Sequence, residues 1–301
     1  MKILFMGTPE IAEACLRALY MSGHDVRAVF TQPDRPKGRG LVMTPPPVKV
    51  YAESRGIEVF QPKSLRKSMD IIGRIDPELI VVVAYGRILP KEVLDYPRYG
   101  CINVHASLLP RHRGAAPIQA AIIAGDTVGG VTTLYMTEEV DAGNMIFVEE
   151  TPISDSDTAG TLHDRYAEIG GRLLLRTIEA IRDGTAPSIP QDHSQATYAP
   201  PIRKEDARID WSRSSTEIRN LIRAFNPWPV AFTEINGHAL KIYAAERGRD
   251  GREALPGTVL SAGPEGIEVA TGDGSLFITE LQKAGKRRMT AAEYIRGHNI
   301  M

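Results

Sequence analysis

Cysteine is nearly absent from this chain: Cys15 and Cys101 are the only two in 301 residues. That excludes a disulfide framework and a cysteine metal cluster, and the apolar neighbours of both positions predict buried, unreactive thiols. No apolar run approaches the roughly 20 residues that span a bilayer. The first residues, Met1-Lys2-Ile3-Leu4-Phe5-Met6-Gly7, read as a strand rather than as a charged-then-apolar export signal, so a cytoplasmic protein is expected. Net charge is also missing, at -1, so a nucleic-acid partner would have to meet a local basic patch. Phosphate-cradling glycines are lacking too. Gly7-Thr8-Pro9-Glu10 has one glycine where a dinucleotide fingerprint needs three, and no Gly-x4-Gly-Lys-Ser/Thr occurs. His105 and His112 fall on a strand and its loop with no third ligand at metal spacing, so no metal is expected.

What is present is ordinary for a soluble protein of two domains, with 43% hydrophobic and 24% charged side chains. Lys2 to Met6, Val26 to Thr31, Ile57 to Phe60, Leu79 to Ala84, Cys101 to His105 and Val131 to Met136 are short apolar runs that read as strands. Helical patterns alternate with them. The clearest carries Ile11, Ala14, Cys15, Ala18 and Leu19, with Thr8 as its expected N-cap and Pro9 at its first position. This alternation predicts an α/β fold with a Rossmann-like, doubly wound parallel sheet. A later helix places Leu162, Tyr166, Ile169, Leu173, Ile178 and Ile181 on one stripe and stops at Asp183-Gly184. Composition then shifts to Pro, Ser, Gln, His and Thr, which assigns residues 1–187 to a first domain and 188–204 to a linker. Residues 205–301 hold one helix, about Ser215 to Phe225, and five short strands. Asn236-Gly237 and Asp273-Gly274 mark hairpins there, so a small antiparallel barrel is expected.

Chemistry concentrates between residues 101 and 117. On a strand, side chains alternate faces, so Asn103 and His105 project from one side roughly 6 to 7 Å apart. The turn from Ser107 to Pro110 follows at the strand's C-terminal end, where open α/β sheets place their ligands. An amide NH2 suits a developing oxyanion, and an imidazole suits a moving proton.

The motif Asn103-x-His105-x-Ser107-Leu108-Leu109-Pro110-x-x-Arg113-Gly114, followed by Asp141-Ala142-Gly143, resembles the 10-formyltetrahydrofolate-dependent formyltransferases. The resemblance extends through Gln32-Pro33-Asp34-Arg35-Pro36, Gly38-Arg39-Gly40, Ala84-Tyr85-Gly86, Ala207-Arg208-Ile209-Asp210-Trp211, Arg223 to Pro229 and Leu281 to Lys286, where it is similar to the members that act on methionyl-tRNA. It implies transfer of a formyl group from 10-formyltetrahydrofolate to the amino group of methionine on initiator tRNA, for translation initiation. It also implies a C-terminal barrel similar to an OB-fold, a monomer, and a catalytic set of Asn103, His105 and Asp141, with Asp141 orienting the imidazole. Ser107, Leu108, Leu109 and Pro110 match the folate-contacting loop, and Tyr85, Gly86 and Ile88 are expected to wall a flat pterin pocket.

For tRNA, the insertion from Asp34 to Lys49 holds Arg35, Lys37, Arg39 and Lys49 against Asp34. The resemblance makes it a tRNA-contacting loop, able to hold the single-stranded 3′ end and neutralise phosphates. Lys283, Lys286, Arg287 and Arg288 form the second expected patch, on a barrel type that often binds nucleic acid. This chain departs from family members in having His112 where they carry Trp, and Leu41 and Val42 where many carry lysines. The alternatives are a formyltetrahydrofolate hydrolase, a sugar-nucleotide N-formyltransferase and, from another class, a non-catalytic nucleic-acid-binding module.

Overall fold

The computed structural model describes residues 1–38, 40–235, 237–251, 254–298 and 300. They divide into two compact units. The first comprises Met1–Pro117, Val128–Pro152 and His163–Pro200, and the second Ile118–Thr127, Ile153–Leu162 and the chain from Pro201 onward. Among the described residues, no helix is long and apolar enough to cross a membrane.

The chain begins with β1 (Lys2–Gly7), α1 (Glu10–Met21), β2 (Asp25–Phe30), β3 (Arg35–Lys37), β4 (Val42–Thr44), α2 (Pro47–Ser54) and β5 (Glu58–Phe60). Then follow α3 (Met69–Ile75), β6 (Leu79–Val83), α4 (Lys91–Leu94), β7 (Cys101–His105), β8 (Arg113–Gly114), α5 (Pro117–Ile123), β9 (Val128–Tyr135), β10 (Met145–Pro152), α6 (Ala159–Arg182) and β11 (Tyr198–Ala199). The main sheet has seven strands in the order β10-β9-β7-β6-β1-β2-β5. Its central strands are apolar throughout because helices cover both faces: Ile3 to Met6 and Leu79 to Val83 are buried.

Five strands run parallel, as the strand–helix alternation predicts. β9 instead runs antiparallel to β7, and β10 antiparallel to β9. No helix separates β9 from β10, and without a helical crossover a hairpin is the short connection. β10 has no counterpart among the strands expected from sequence; it is an edge strand whose residues alternate between covered and exposed, so it lacks a continuous apolar run.

Helix α1 also differs in detail. Pro9 is its N-cap and no side chain caps it; the Thr8 hydroxyl donates to the Tyr85 carbonyl instead, at 3.2 Å. Cys15 and Cys101 are buried, and burial pushes each thiol up to about 12. All six stripe residues of α6 are buried, and Gly184 (φ +68) closes its end with an N–H to the Ile181 carbonyl. Gly170 lets α6 lie close on β7: a Cβ there would stand 3.2 Å from Val104.

The second unit contains α7 (Ser215–Ala224), β12 (Ala231–Ile235), β13 (His238–Asp250), β14 (Val259–Gly263), β15 (Gly266–Ala270), β16 (Gly274–Lys283), β17 (Met289–Thr290) and α8 (Ala291–Ile295). Ser214 and Glu217 form a reciprocal capping box at the start of α7, whose Ile218 and Ile222 enter an aliphatic core with Ile242, Val269, Leu276 and Ile278. The antiparallel sheet has six strands in the order β12-β13-β16-β15-β14, with β17 on β16. Of the two expected hairpin turns, Asn236 lies outside the described residues. At the other, Asp273 accepts from the Ser215 N–H at 2.7 Å and the Thr271 hydroxyl at 3.1 Å, tying the turn to the start of α7.

Candidate active site

Strand β7 and the β9–β10 connection bring Asn103, His105 and Asp141 together within the first unit. Asn103 pairs with Leu134 and His105 with Thr132 on β9, so the register of that antiparallel pair fixes both side chains. Asp141 sits at φ +50, a left-handed conformation that Asp tolerates better than most residues. Gly143 follows because the turn hugs the end of β9. A Cβ at that position would stand 1.8 Å from the Tyr135 carbonyl oxygen. Tyr135 N–H in turn donates to the Asn144 carbonyl at 2.9 Å and closes the turn.

The polar atoms of these side chains interlock. Asn103 Nδ2 donates to Asp141 Oδ1 at 3.1 Å, which leaves its second amide hydrogen for another acceptor. Asp141 Oδ2 accepts the Gly114 N–H at 2.9 Å and faces His105 Nδ1 at 3.5 Å. His105 Nε2 lies 3.0 Å from the His112 carbonyl oxygen. A carbonyl only accepts, so Nε2 carries a proton, and Nδ1 is the ring position turned to the carboxylate. His105 and Asp141 are 6% and 12% exposed, so this pair works in a medium where charge is poorly screened. The arrangement combines an amide donor, an imidazole and a carboxylate, the set needed when a carbonyl oxygen gains charge while a nitrogen loses a proton.

The turn expected to meet folate is braced from β9. Thr132 Oγ1 donates to the Ser107 carbonyl at 2.7 Å and accepts the Leu109 N–H at 3.2 Å, while the Ser107 hydroxyl donates to the Arg111 carbonyl at 2.7 Å. Ser107 and Leu109 are thereby buried, and Leu108 and Pro110 remain partly accessible. After β6, Ile88 is 76% exposed and the Gly86 backbone is exposed at φ +79. Both suit contact with a flat ring. The Tyr85 ring lies instead in the core, where burial pushes its hydroxyl up to about 12; its carbonyl accepts from Gln32 Nε2 at 3.0 Å.

Arg35 and Lys37 lie on the exposed β3–β4 hairpin, and Arg39 falls outside the described residues. Lys49 is placed differently: its Nζ is 3.0 Å from both Asp34 carboxylate oxygens and 3.1 Å from Gln61 Oε1, so it clamps the base of the hairpin. In the second unit, Lys283 ends β16 and Lys286 is exposed in the following turn. Arg287 pairs with Glu293 at 3.0 Å, and Arg288 pairs with Glu280 and lies 4.5 Å over the Tyr243 ring.

Sequence reasoning missed the residues that brace the site. Gln191 Nε2 donates to the Asp141 and Gly143 carbonyls at 2.8 and 2.7 Å, and its Oε1 accepts from Arg113 at 2.7 Å. Gln191 falls in the segment whose composition reads as a linker, and no apolar period marks it.

The fold and this cluster define a formyl-group transferase: the sequence matches Formyl transferase over residues 1–178 and Formyl transferase, C-terminal domain, over 201–299, and the chain belongs to that family. Among its relatives, one from Bacillus velezensis named methionyl-tRNA formyltransferase is 50% identical over 99% of this chain and 95% of its own length. Another so named, from Pelotomaculum thermopropionicum, is 49% identical over 99% of this chain and 96% of its own. Solved structures share the fold at lower identity. An N-formyltransferase from Helicobacter canadensis, in complex with folinic acid and dTDP-3-aminofucose, aligns at 22% identity and TM-score 0.68 over 94% of this chain and 99% of its own. HypX from Aquifex aeolicus in complex with tetrahydrofolic acid aligns at 20% identity and TM-score 0.63 over 98% of this chain, which spans 47% of HypX.

Proposed function

We propose that this enzyme transfers the formyl group of 10-formyltetrahydrofolate to the amino group of methionine on initiator tRNA. The observation that carries the reading is the interlocked Asn103–His105–Asp141 cluster in a chain half identical, along its whole length, to proteins named for that reaction. The amine nitrogen bonds to the formyl carbon, and the second Asn103 amide hydrogen donates to the oxygen as it becomes anionic. The His105–Asp141 pair takes the proton that the amine gives up. That proton returns to the folate nitrogen as its bond to carbon breaks, so charge and atoms balance.

Gly86, Ile88, Leu108 and Pro110 supply the backbone and apolar contacts for the pterin, with Ser107 and Leu109 setting the turn; the Tyr85 carbonyl and ring hold the loop from beneath. In the proposed division, residues 1–187 carry the reacting side chains, 188–204 connect, and 205–301 form a tRNA-binding barrel through Lys283, Lys286, Arg287 and Arg288. Arg35, Lys37 and Arg39 meet the tRNA directly, and Lys49 holds the base of the β3–β4 hairpin through Asp34 and Gln61. The same reading makes the protein a cytoplasmic monomer, which sedimentation at working concentration checks.

The test is to offer 10-formyltetrahydrofolate with methionyl initiator tRNA, with a nucleotide-linked amino sugar, or with water alone. Formyl transfer to the charged tRNA is expected; transfer only to the sugar, or hydrolysis alone, overturns the proposal.

A further inference from the structure

The geometry points to Gln191 and Thr197 as positioning residues of the catalytic cluster, acting through a strap that runs from Ile189 to Ala199. The inference rests on the proposed roles of Asn103, His105 and Asp141 and extends them to a segment outside both family-matched regions, which end at 178 and begin at 201.

The strap holds the outer partner of each proton-handling group. At its start, Ile189 and Met145 exchange backbone hydrogen bonds at 2.8 and 2.9 Å, fixing it beside β10. Gln191, 5% exposed, then donates to the carbonyls of Asp141 and Gly143, which pins the left-handed turn that aims the carboxylate. Further on, Thr197 Oγ1 accepts the His112 N–H at 2.8 Å and the Thr197 carbonyl accepts the Arg113 N–H at 2.8 Å. These bonds fix the His112 peptide, whose carbonyl accepts the hydrogen bond from His105 Nε2–H. Finally β11 pairs with β8, Ala199 opposite Gly114, whose N–H donates to Asp141 Oδ2. The approach is close enough that a Cβ on Gly114 would stand 2.6 Å from the Ala199 carbonyl oxygen.

Arg113 locks the strap internally. Its guanidinium, on a residue 3% exposed, donates to Gln191 Oε1 through Nε at 3.2 Å and Nη2 at 2.7 Å, and lies 3.3 Å from His193 Nδ1. The Gln191 amide orientation follows from this contact: guanidinium only donates, so the oxygen faces Arg113 and the NH2 faces the two carbonyls. A side chain with one acceptor and two donors is required at this point. Glutamine supplies both; glutamate keeps the acceptor and loses the donors.

Gln191→Glu therefore separates positioning from folding, because a carboxylate still holds Arg113 but opposes the Asp141 and Gly143 carbonyls. The full-length variant is expected to lose about ten- to a hundredfold in kcat, the scale of a misplaced catalytic group. KM for both substrates should stay within about twofold, the split that marks an effect confined to the transition state. Thr197→Val should lower kcat in the same way, and Thr197→Ser should restore most of it. Asn103→Ala is run alongside. If it loses activity while Gln191→Glu and Thr197→Val keep the wild-type kcat, or if Thr197→Ser fails to restore what Thr197→Val loses, the strap is overturned and the catalytic reading stands. If Asn103→Ala itself keeps full activity, the reading beneath the inference falls first. Should Gln191→Glu not fold, the Thr197 pair decides.

Discussion

The proposed catalytic cluster and the β3–β4 hairpin lie in one unit of the molecule but are built on opposite terms. Around Asn103, His105 and Asp141, the polar atoms meet other protein atoms at hydrogen-bonding or ion-pair distance, and His105 and Asp141 are nearly enclosed. On the hairpin, Leu41, Val42 and Met43 are 71%, 68% and 58% exposed and Arg35 lies open to water. The contrast teaches where precision is stored. Chemistry needs groups held to a fraction of an ångström, and a long flexible polymer needs charge and surface that adapt to it.

The contrast can be broken first at the cluster. Asn103→Ala removes the proposed oxyanion donor and should lower single-turnover formylation about 10²- to 10³-fold, equivalent to about 3–4 kcal/mol; an unchanged rate would place the donor elsewhere. Gly143→Ala attacks the same region through the backbone, since its Cβ has no room beside Tyr135. It should destabilise the protein by about 1–3 kcal/mol or more in urea unfolding; a midpoint equal to wild type would show that the turn yields freely.

On the open side, Arg35→Ala should raise KM for tRNA with little change in kcat and reduce the salt slope of binding by about one phosphate contact. Lys49→Met sharpens the comparison, because that ammonium is engaged with Asp34 and Gln61. It should lower the thermal midpoint slightly and leave the salt slope alone, so an altered slope would return Lys49 to the tRNA surface. The smallest effect is with acid. The Gln61 amide, and then Lys49, hold the Asp34 carboxyl below its ordinary value. A depressed carboxyl stabilises the fold fully above its unfolded value of about 3.9 and loses that contribution as pH falls through the lower folded value. Protection of the hairpin base, followed by hydrogen exchange, should therefore persist to about pH 4 and decline below it; loss already at neutral pH would contradict the clamp.

Sequence disclosed the closed region better than its bracing. β1 and β6 were legible because strands buried on both faces are built of apolar runs, β7 was legible through Cys101, Ile102 and Val104, and Asn103 and His105 followed from strand alternation. Asp141 was legible only through its motif, since nothing local says that a left-handed Asp before a crowded glycine faces an imidazole. Tyr85 is expected to wall the pterin pocket; its ring packs in the core and its carbonyl accepts from Gln32, a placement that no local pattern encodes. Lys49 looked like free charge until Asp34 and Gln61 came beside it through folding. Gln191 could not be read at all: its neighbours in sequence are prolines and polar residues, and its partners stand 48 to 78 positions away.

The pairing of β11 with β8 bears on anyone who would dissect this protein into halves. Scissors applied just after the long helix would produce a fragment with Asn103, His105 and Asp141 all present and Gln191, Thr197 and Ala199 all gone. Such a piece would keep the three side chains but lose the bonds that the strap makes to the Asp141 and Gly143 carbonyls and to the His112 and Arg113 backbone. A fragment meant to keep its chemistry has to extend through Pro200, the last residue of the first compact unit.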